Sequence, residues 1–188
     1  MTYSHDLTTG PLARHFLKLA LPAAIGMLFS TLYNVVDVFF AGLLGTDAQA
    51  GLAISFQVFF IFVTVGFGLG AGMTALVGNA IGGKKNSEAS AIAIQGVGFA
   101  IIAAILLVIV ALAFAPNLLT LISAEGAYRE AGLRYMIILI ISLPSFVLSY
   151  ALNGILQATG DTVSMQRALM TAFFANLALN PLLVFGVP

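Results

Sequence analysis

The stretch Leu32-Tyr33-Asn34-Val35-Val36-Asp37-Val38-Phe39-Phe40 places one acidic residue inside an apolar run that extends from about residue 19 to residue 44. A run of that length is sufficient for a helix to cross a bilayer. Asp37 is the only charged residue in the run, and an ionised aspartate at the centre of a membrane helix costs about 2.5–3.5 kcal/mol on insertion scales. This cost favours a functional role for Asp37, and an aspartate that only ties two helices together is the alternative.

The composition of the whole chain indicates an integral membrane protein. Of its 188 residues, 61% are hydrophobic and 7% are charged, which lies outside the range of soluble domains. The apolar runs are long and do not alternate with a period of two, so helices are expected and a β-barrel is disfavoured. The first run is longer than the apolar segment of a secretory signal, which predicts a retained helix.

Several classes of chemistry find no support in the sequence. The chain has no cysteine and only two histidines, His5 and His15, so disulfides, thiolate metal sites and a histidine metal site in the membrane are not expected. No catalytic constellation, phosphate-binding loop or nucleic-acid surface is apparent. We therefore predict no catalytic residue, no cofactor, no nucleic-acid partner, and no metal beyond Na⁺ at an ion-coupling site.

Five spans organise the predicted membrane region. A cytoplasmic amphipathic lead-in at 1–18 precedes the transmembrane region 19–188, whose helices are expected at about 19–44, 49–81, 90–115, 133–158 and 168–187. With the N-terminus inside, the inner side carries Arg14, Lys18, Lys84, Lys85 and Arg167, and the outer side carries Arg129 and Arg134. This bias predicts a multi-pass protein of the cell inner (plasma) membrane with a cytoplasmic N-terminus.

Polar residues in three of the spans are expected at similar depth. A helical rise of about 1.5 Å per residue places Asp37 and Asn180 in the outer half of the bilayer core, and Asn176 shares a helix face with Asn180. Tyr135 begins the fourth span at the outer surface. Together these groups would form a site for a proton or a hard cation such as Na⁺. For each amide alone, interhelical hydrogen bonding worth about 0.6 kcal/mol is the simpler interpretation, as is an interfacial position for Tyr135.

Several motifs, in order, resemble the start of multidrug and toxic compound extrusion (MATE) transporters. They are Leu21-Pro22, Tyr33-Asn34-Val35-Val36-Asp37, Gly42-Leu43-Leu44-Gly45, Gly78-Asn79-Ala80-Ile81-Gly82, Leu156-Gln157-Ala158-Thr159-Gly160-Asp161-Thr162 and Asn176-Leu177-Ala178-Leu179-Asn180-Pro181. The resemblance covers nearly the whole chain from about Arg14. It implies a fold of twelve helices in two six-helix lobes, which exchange Na⁺ or H⁺ for organic, often cationic, compounds by alternating access. This chain would be all-α, with five transmembrane helices forming most of a six-helix N-lobe.

The resemblance also implies roles for individual residues of an ion-coupling site. Asp37 matches the family's helix 1 aspartate of the N-lobe cation site, Tyr135 its helix 4 tyrosine, and Asn176 the first asparagine of its helix 5. Asn180 stands where many members carry a second aspartate. That departure implies weaker Na⁺ binding and a role for Asp37 alone as the proton carrier.

Three further positions are weaker or structural matches. Pro22 matches the helix 1 proline that is implicated in bending of that helix. Asn153 matches a polar position of the N-lobe cavity, and Asn34, which shares a helix face with Asp37, is a second candidate for the substrate cavity.

We therefore expect an ion-coupled (H⁺ or Na⁺) antiporter that exports organic, often cationic, drugs, and hence a secondary active transporter and not an enzyme. The chain is expected to be an N-terminal fragment, whose partners are membrane lipid, small organic substrates and the missing C-terminal lobe of the same transporter. A lipid-linked oligosaccharide flippase of the same superfamily is one alternative, but it would need basic residues inside its spans to hold pyrophosphate. A non-transporting membrane subunit is the other, and it would require the five-helix piece to be complete.

Overall fold

A computed structural model describes residues 11–122 and 127–186. Within these ranges the chain forms five α-helices and no strand: α1 (Leu12–Leu43), α2 (Thr46–Gly82), α3 (Asn86–Ile122), α4 (Ala127–Ala158) and α5 (Val163–Phe185). Each helix contains a segment that is long and apolar enough to cross a membrane. The prediction of an all-α, multi-pass membrane protein is confirmed.

The helices extend beyond several predicted spans. α1 begins at Leu12, so residues 12–18 of the predicted lead-in are helical and continuous with the first span, and residues 1–10 lie outside the described part. α3 continues through Pro116 to Ile122, although the sequence predicted an exit after residue 115. The continuation is possible because a proline inside a helix removes only one backbone donor, and such a loss is tolerated in membrane helices. Helix ends are not membrane boundaries, so the bounds of the spans stay predictions.

The chain divides into two compact units. The α1–α5 unit contains α1, α5 and the end of α4 from Leu156, and the α2–α4 unit contains α2, α3 and α4 as far as Ile155. In the α1–α5 unit, the helices approach closely at Gly26, where a Cβ atom would lie 3.2 Å from Leu169 Cδ1 and 3.4 Å from Gln166 Cα. Glycine at this position therefore permits the contact that brings α1 against α5.

An apolar core holds the α2–α4 unit together. Its buried members include Val58, Phe59, Phe62, Val63, Ala111, Ala115, Leu119, Met136, Ile140 and Leu143. Most of these side chains recur every three or four residues on their helix, which is the spacing that places them on one face. Ser55 adds a polar contact inside this core, because its Oγ lies 2.9 Å from the carbonyl oxygen of Gly132 on α4.

Glycines let the main chains of α2 and α4 meet. A Cβ atom on Gly70 would lie 2.8 Å from the carbonyl oxygen of Tyr150, and one on Gly154 would collide with the carbonyl oxygen of Gly70. The Thr74 hydroxyl lies 2.9 Å from the carbonyl oxygen of Gly70 and 3.2 Å from that of Gly154. Small residues that allow close backbone approach are typical of helix contacts in membranes.

Two helices end in a residue with left-handed backbone geometry. Lys84 follows α2 with φ 59°, and Gly160 follows α4 with φ 79°. After α2, the Lys85 N–H donates to the carbonyl of Ala80 at 2.9 Å, and after α4 the Asp161 N–H donates to that of Leu156 at 2.9 Å. This hydrogen-bond pattern is the Schellman motif, in which glycine is the usual left-handed residue. Lys84 is therefore the less favourable of the two end residues.

Asp161 then caps the start of α5. Its Oδ1 accepts the Ser164 backbone N–H at 2.9 Å, and its Oδ2 accepts the Ser164 hydroxyl at 2.6 Å. These two bonds, the hydroxyl first, hold the pKa of the Asp161 carboxyl below its ordinary value. The cap fixes the direction in which α5 leaves the turn.

Candidate functional site

Asp37 meets two asparagines of α5 inside the α1–α5 unit. Asn176 and Asn180 are four residues apart, so they lie on the same face of α5, one turn apart. The Asn176 Nδ2 donates to Asp37 Oδ1 at 2.7 Å, and the Asn180 Nδ2 donates to the same oxygen at 3.0 Å. A third bond, from Asn180 Nδ2 to Asn176 Oδ1 at 3.1 Å, links the two amides. We call these three residues the Asp37 cluster.

The direction of these bonds follows from the chemistry of the carboxylate. An ionised carboxylate can only accept hydrogen bonds, so each amide turns its NH₂ group and not its oxygen toward Asp37. Asp37 Oδ1 accepts two bonds, whereas its Oδ2 accepts none from any residue within the described ranges. Asp37 is thus held against α5 through one of its two carboxylate oxygens.

The Asp37 cluster is partly buried and lies apart from the other charged residues of its two helices. Asn176 is 9% exposed, and Asp37 and Asn180 are half-buried. The charged residues nearest to the cluster along the two helices are Lys18 on α1 and Arg167 on α5. No group of three or more histidine, cysteine or acidic side chains suited to a metal occurs in the part of the chain that the structure describes.

The other predicted site residues lie outside this cluster or in the second unit. Tyr135 belongs to the α2–α4 unit, where its ring centroid is 6.4 Å from that of Phe56. Asn153 is half-buried in the same unit. The exposed Asn34 donates its amide to the Ser30 carbonyl at 2.9 Å on its own helix. The roles predicted for these three residues at an ion site or cavity stay predictions.

Pro22 lies within a continuous α1. Because proline has no N–H, the carbonyl of Lys18 receives no helical hydrogen bond from it, and the ring crowds that carbonyl. The helix is therefore easier to bend at this position than elsewhere along its length. Bending itself stays a prediction.

The structure shows one feature that the sequence does not predict, which is the double donation by Asn180. The i,i+4 spacing of the two asparagines indicated a shared face, but it did not indicate which atoms would face Asp37. The missing signal is the acceptor-only nature of the carboxylate, which fixes the orientation once the helices are in contact.

Long apolar helices, with a carboxylate held by amides across the contact between α1 and α5, define a polytopic membrane protein. Intramembrane ionisable residues of this kind mark ion or substrate pathways. A family model, MatE, matches residues 22–182. The chain belongs to the MatE family.

Comparison with individual relatives supports the same assignment. An FAD transporter from Shewanella oneidensis is 30% identical over 183 residues, which cover 97% of this chain and 40% of the relative. The multidrug export protein MepA of Staphylococcus aureus is 24% identical over 179 residues, covering 94% and 39% respectively. The structure of a MOP superfamily transporter from Pyrococcus furiosus Vc1 matches with a TM-score of 0.88 at 26% identity, covering 94% of this chain and 40% of that one.

The chain thus spans about two fifths of the length of the relatives that it matches. Both the predicted MATE membership and the predicted fold, five helices forming most of an N-lobe, are confirmed.

Proposed function

We propose that this chain forms most of the first lobe of an ion-coupled antiporter, which exports organic compounds across the inner membrane with its N-terminus in the cytoplasm. The observation that carries the proposal is the Asp37 cluster, a carboxylate held by two amides between apolar helices. Alternating access requires a second lobe against which the first can move. The proposed partner is therefore a C-terminal lobe of the same transporter.

In this proposal, neutralisation of the charge on Asp37 couples ion binding to movement of α1. Hydrogen bonds to a charged acceptor are worth about 1.5–3 kcal/mol, and those between neutral groups about 0.5–1.5 kcal/mol. A proton or cation on Asp37 therefore weakens the attachment of α1 to Asn176 and Asn180. Because α1 bends more easily at Pro22 than elsewhere, the helix can then move relative to α5.

The substrate in this proposal is an organic cation or a neutral organic compound. Relatives include an FAD transporter and a multidrug export protein, so both a dinucleotide and drug-like compounds are candidates. An anionic dinucleotide or a pyrophosphate would favour basic side chains at membrane depth. α1 and α5 carry no basic residue after Lys18 and Arg167 respectively, and their only charge at depth is the acid Asp37. This favours cationic drugs over FAD and over a flippase substrate.

The experiment uses everted inner-membrane vesicles that contain the transporter with both lobes. Accumulation of a fluorescent organic cation is measured under an imposed pH gradient or an imposed Na⁺ gradient. Asp37→Asn is compared with wild type, and Asp47→Asn is the matched control, because Asp47 is exposed in the first turn of α2. Membrane abundance of each variant is measured by immunoblot.

Gradient-driven accumulation that is lost in Asp37→Asn and retained in Asp47→Asn supports the proposal. Wild-type vesicles that accumulate no dye under either gradient would contradict the exporter function and favour a non-transporting subunit. Equal accumulation by Asp37→Asn and wild type would show that Asp37 only ties α1 to α5.

A further inference from the structure

We propose that the first ten residues of α1, residues 12–21, bind an anionic phospholipid of the surrounding membrane through Arg14 and Lys18. We call this stretch the α1 arm. Lipid binding there involves neither the coupled ion nor the substrate, so it goes beyond the proposed function and does not depend on it. The observations that support it are the length of α1 relative to α5 and the separation of basic and apolar side chains around the arm.

The α1 arm extends past the start of its partner helix. In the α1–α5 unit, Gly26 lies against Gln166 and Asp37 bonds to Asn176, so the two helices run in the same direction. α5 begins at Val163, three residues before Gln166, and its start is therefore level with about residue 23 of α1. All ten residues of the arm lie beyond that level, over about 15 Å at about 1.5 Å per residue. The arm therefore lies outside the contact that joins α1 to α5.

Basic side chains occupy one side of the α1 arm. With about 3.6 residues per turn, Arg14, His15 and Lys18 fall within about 100° of the helix circumference. Arg14 and Lys18 are exposed and one turn apart, and neither forms an ion pair with an acid in the described part of the chain. α1 carries no acidic residue before Asp37, and the carboxylate of Asp161 at the start of α5 is already bonded within its own cap. The arm therefore presents uncompensated positive charge.

The remaining circumference of the α1 arm is apolar. Its large, exposed apolar side chains are Leu12, Phe16, Leu17 and Leu21. A basic side next to a bulky apolar side is typical of helices that bind at the boundary between lipid headgroups and acyl chains. The first apolar run begins at about residue 19, so the arm lies where α1 is expected to leave the bilayer core. One short segment thus offers groups for a phosphate and for the acyl chains that it carries.

An anionic phospholipid matches both sides of the arm. A guanidinium and an ammonium one turn apart can donate to the oxygens of the same phosphate diester. A zwitterionic lipid carries its own cation beside the phosphate, which weakens that attraction. A free phosphate ester would use the basic side and leave the apolar side exposed. Each basic residue near an anionic membrane surface strengthens binding by about fivefold, so Arg14 and Lys18 together should favour an anionic over a zwitterionic lipid by about 25-fold.

The test uses the transporter with both lobes in phosphatidylcholine liposomes that contain a trace of photoreactive lipid. Phosphatidylglycerol and phosphatidylcholine, each with a diazirine near the headgroup end of one acyl chain, are compared. After illumination and digestion with chymotrypsin, mass spectrometry gives the ratio of labelling by the two lipids at residues 12–21. Exposed residues of α3, such as Ile109, serve as the internal reference for non-specific labelling.

The variants separate a specific site from general surface charge. Arg14→Gln/Lys18→Gln removes two charges from the arm. Lys84→Gln/Lys85→Gln is the matched control, because it removes two exposed charges on the same predicted side of the membrane, where Lys85 is already paired with Glu88 at 3.1 Å. Wild type should show a labelling ratio of about 25 at the arm, and each basic residue removed from the arm should lower it by about fivefold. The control should stay within about twofold of wild type.

Three outcomes would overturn the lipid site. The first is equal labelling of the arm by the two lipids in wild type. The second is an unchanged ratio in Arg14→Gln/Lys18→Gln, or an equal fall in the lysine control, which would assign the attraction to surface charge in general. The third is displacement of photoreactive phosphatidylglycerol by glycerol phosphate at the concentration at which unlabelled phosphatidylglycerol displaces it, which would identify a free phosphate ester as the ligand. If the double variant does not insert, the single variants Arg14→Gln and Lys18→Gln and the wild-type ratio decide the question.

Discussion

The bond between Asn176 and Asp37 offers the sharpest test of the cluster, because it is the shortest of the three at 2.7 Å and Asn176 is 9% exposed. Asn176→Leu keeps a similar volume and removes the amide. The variant loses a hydrogen bond to a charged acceptor, worth about 1.5–3 kcal/mol, and an amide–amide bond, worth about 0.6 kcal/mol in a membrane protein. The free energy of unfolding should therefore fall by about 2–4 kcal/mol.

The assay is equilibrium unfolding in mixed micelles of a mild detergent and sodium dodecyl sulfate, followed by far-ultraviolet circular dichroism. Asn153→Leu is the control, because Asn153 is a half-buried asparagine that makes no hydrogen bond to a described residue. Its effect should stay within about 0.5 kcal/mol, as for substitutions that break no specific interaction.

A double-mutant cycle with Asp37→Leu isolates the bond itself. If Asp37 and Asn176 interact as described, the two substitutions should be non-additive by about 1.5–3 kcal/mol. Additivity within about 0.5 kcal/mol would refute the reasoning. In that case the effect of Asn176→Leu would come from packing, and the proposed link between neutralisation and helix attachment would have no energetic basis.

Three further substitutions test other parts of the fold. Gly154→Ala places a methyl group against the carbonyl oxygen of Gly70 and should destabilise the α2–α4 unit by about 1–3 kcal/mol. Gly68→Ala is the control and should not destabilise it, because nothing lies within 4 Å of the added atom. Equal melting temperatures of the two variants would contradict this packing. Asp161→Ala should cost about 1 kcal/mol at neutral pH. Because the folded-state pKa of Asp161 is lowered, the cap contributes fully above the ordinary value of about 3.9 and is lost as the pH falls through the lower folded value. The stability difference between wild type and variant should thus close in acid, and a difference independent of pH would exclude a charged cap. Lys84→Gly should stabilise the protein by about 1 kcal/mol, since φ is 59° at that position. An unchanged midpoint of thermal unfolding would argue against a left-handed conformation of residue 84.

Much of the fold was predictable because the membrane imposes one dominant rule, that an apolar run must satisfy its backbone internally and so becomes a helix. The helix ends were not predictable to the same degree. Leu12 and Ile122 lie beyond the predicted spans because a helix continues past the apolar region when nothing stops it. Pro116 did not end α3, because a proline inside a membrane helix is tolerated where local adjustments satisfy the freed backbone carbonyl.

The site was predictable as a set of residue types at similar depth, but not as a set of bonds. The spacing of Asn176 and Asn180 placed them on one face, and the insertion cost of Asp37 singled it out. Hydrogen-bond direction depends on which helices touch and on rotation about the asparagine side chains, and sequence periodicity contains neither. For Tyr135, depth alone suggested membership of the site, whereas its described ring contact is with Phe56 in the α2–α4 unit.

The separation of Asp37 from its partner also matters while the protein is being made. Asn176 follows Asp37 by 139 residues, so at about 5–20 residues per second the ribosome needs roughly 7 to 28 seconds to supply it. Throughout that interval the Asp37 carboxylate has neither of its amide partners. A nascent chain in this state is a natural substrate for membrane quality control, and substitution of Asn176 would prolong the state after synthesis ends. Variants at Asn176 should therefore be degraded faster in cells than their measured stability alone would predict.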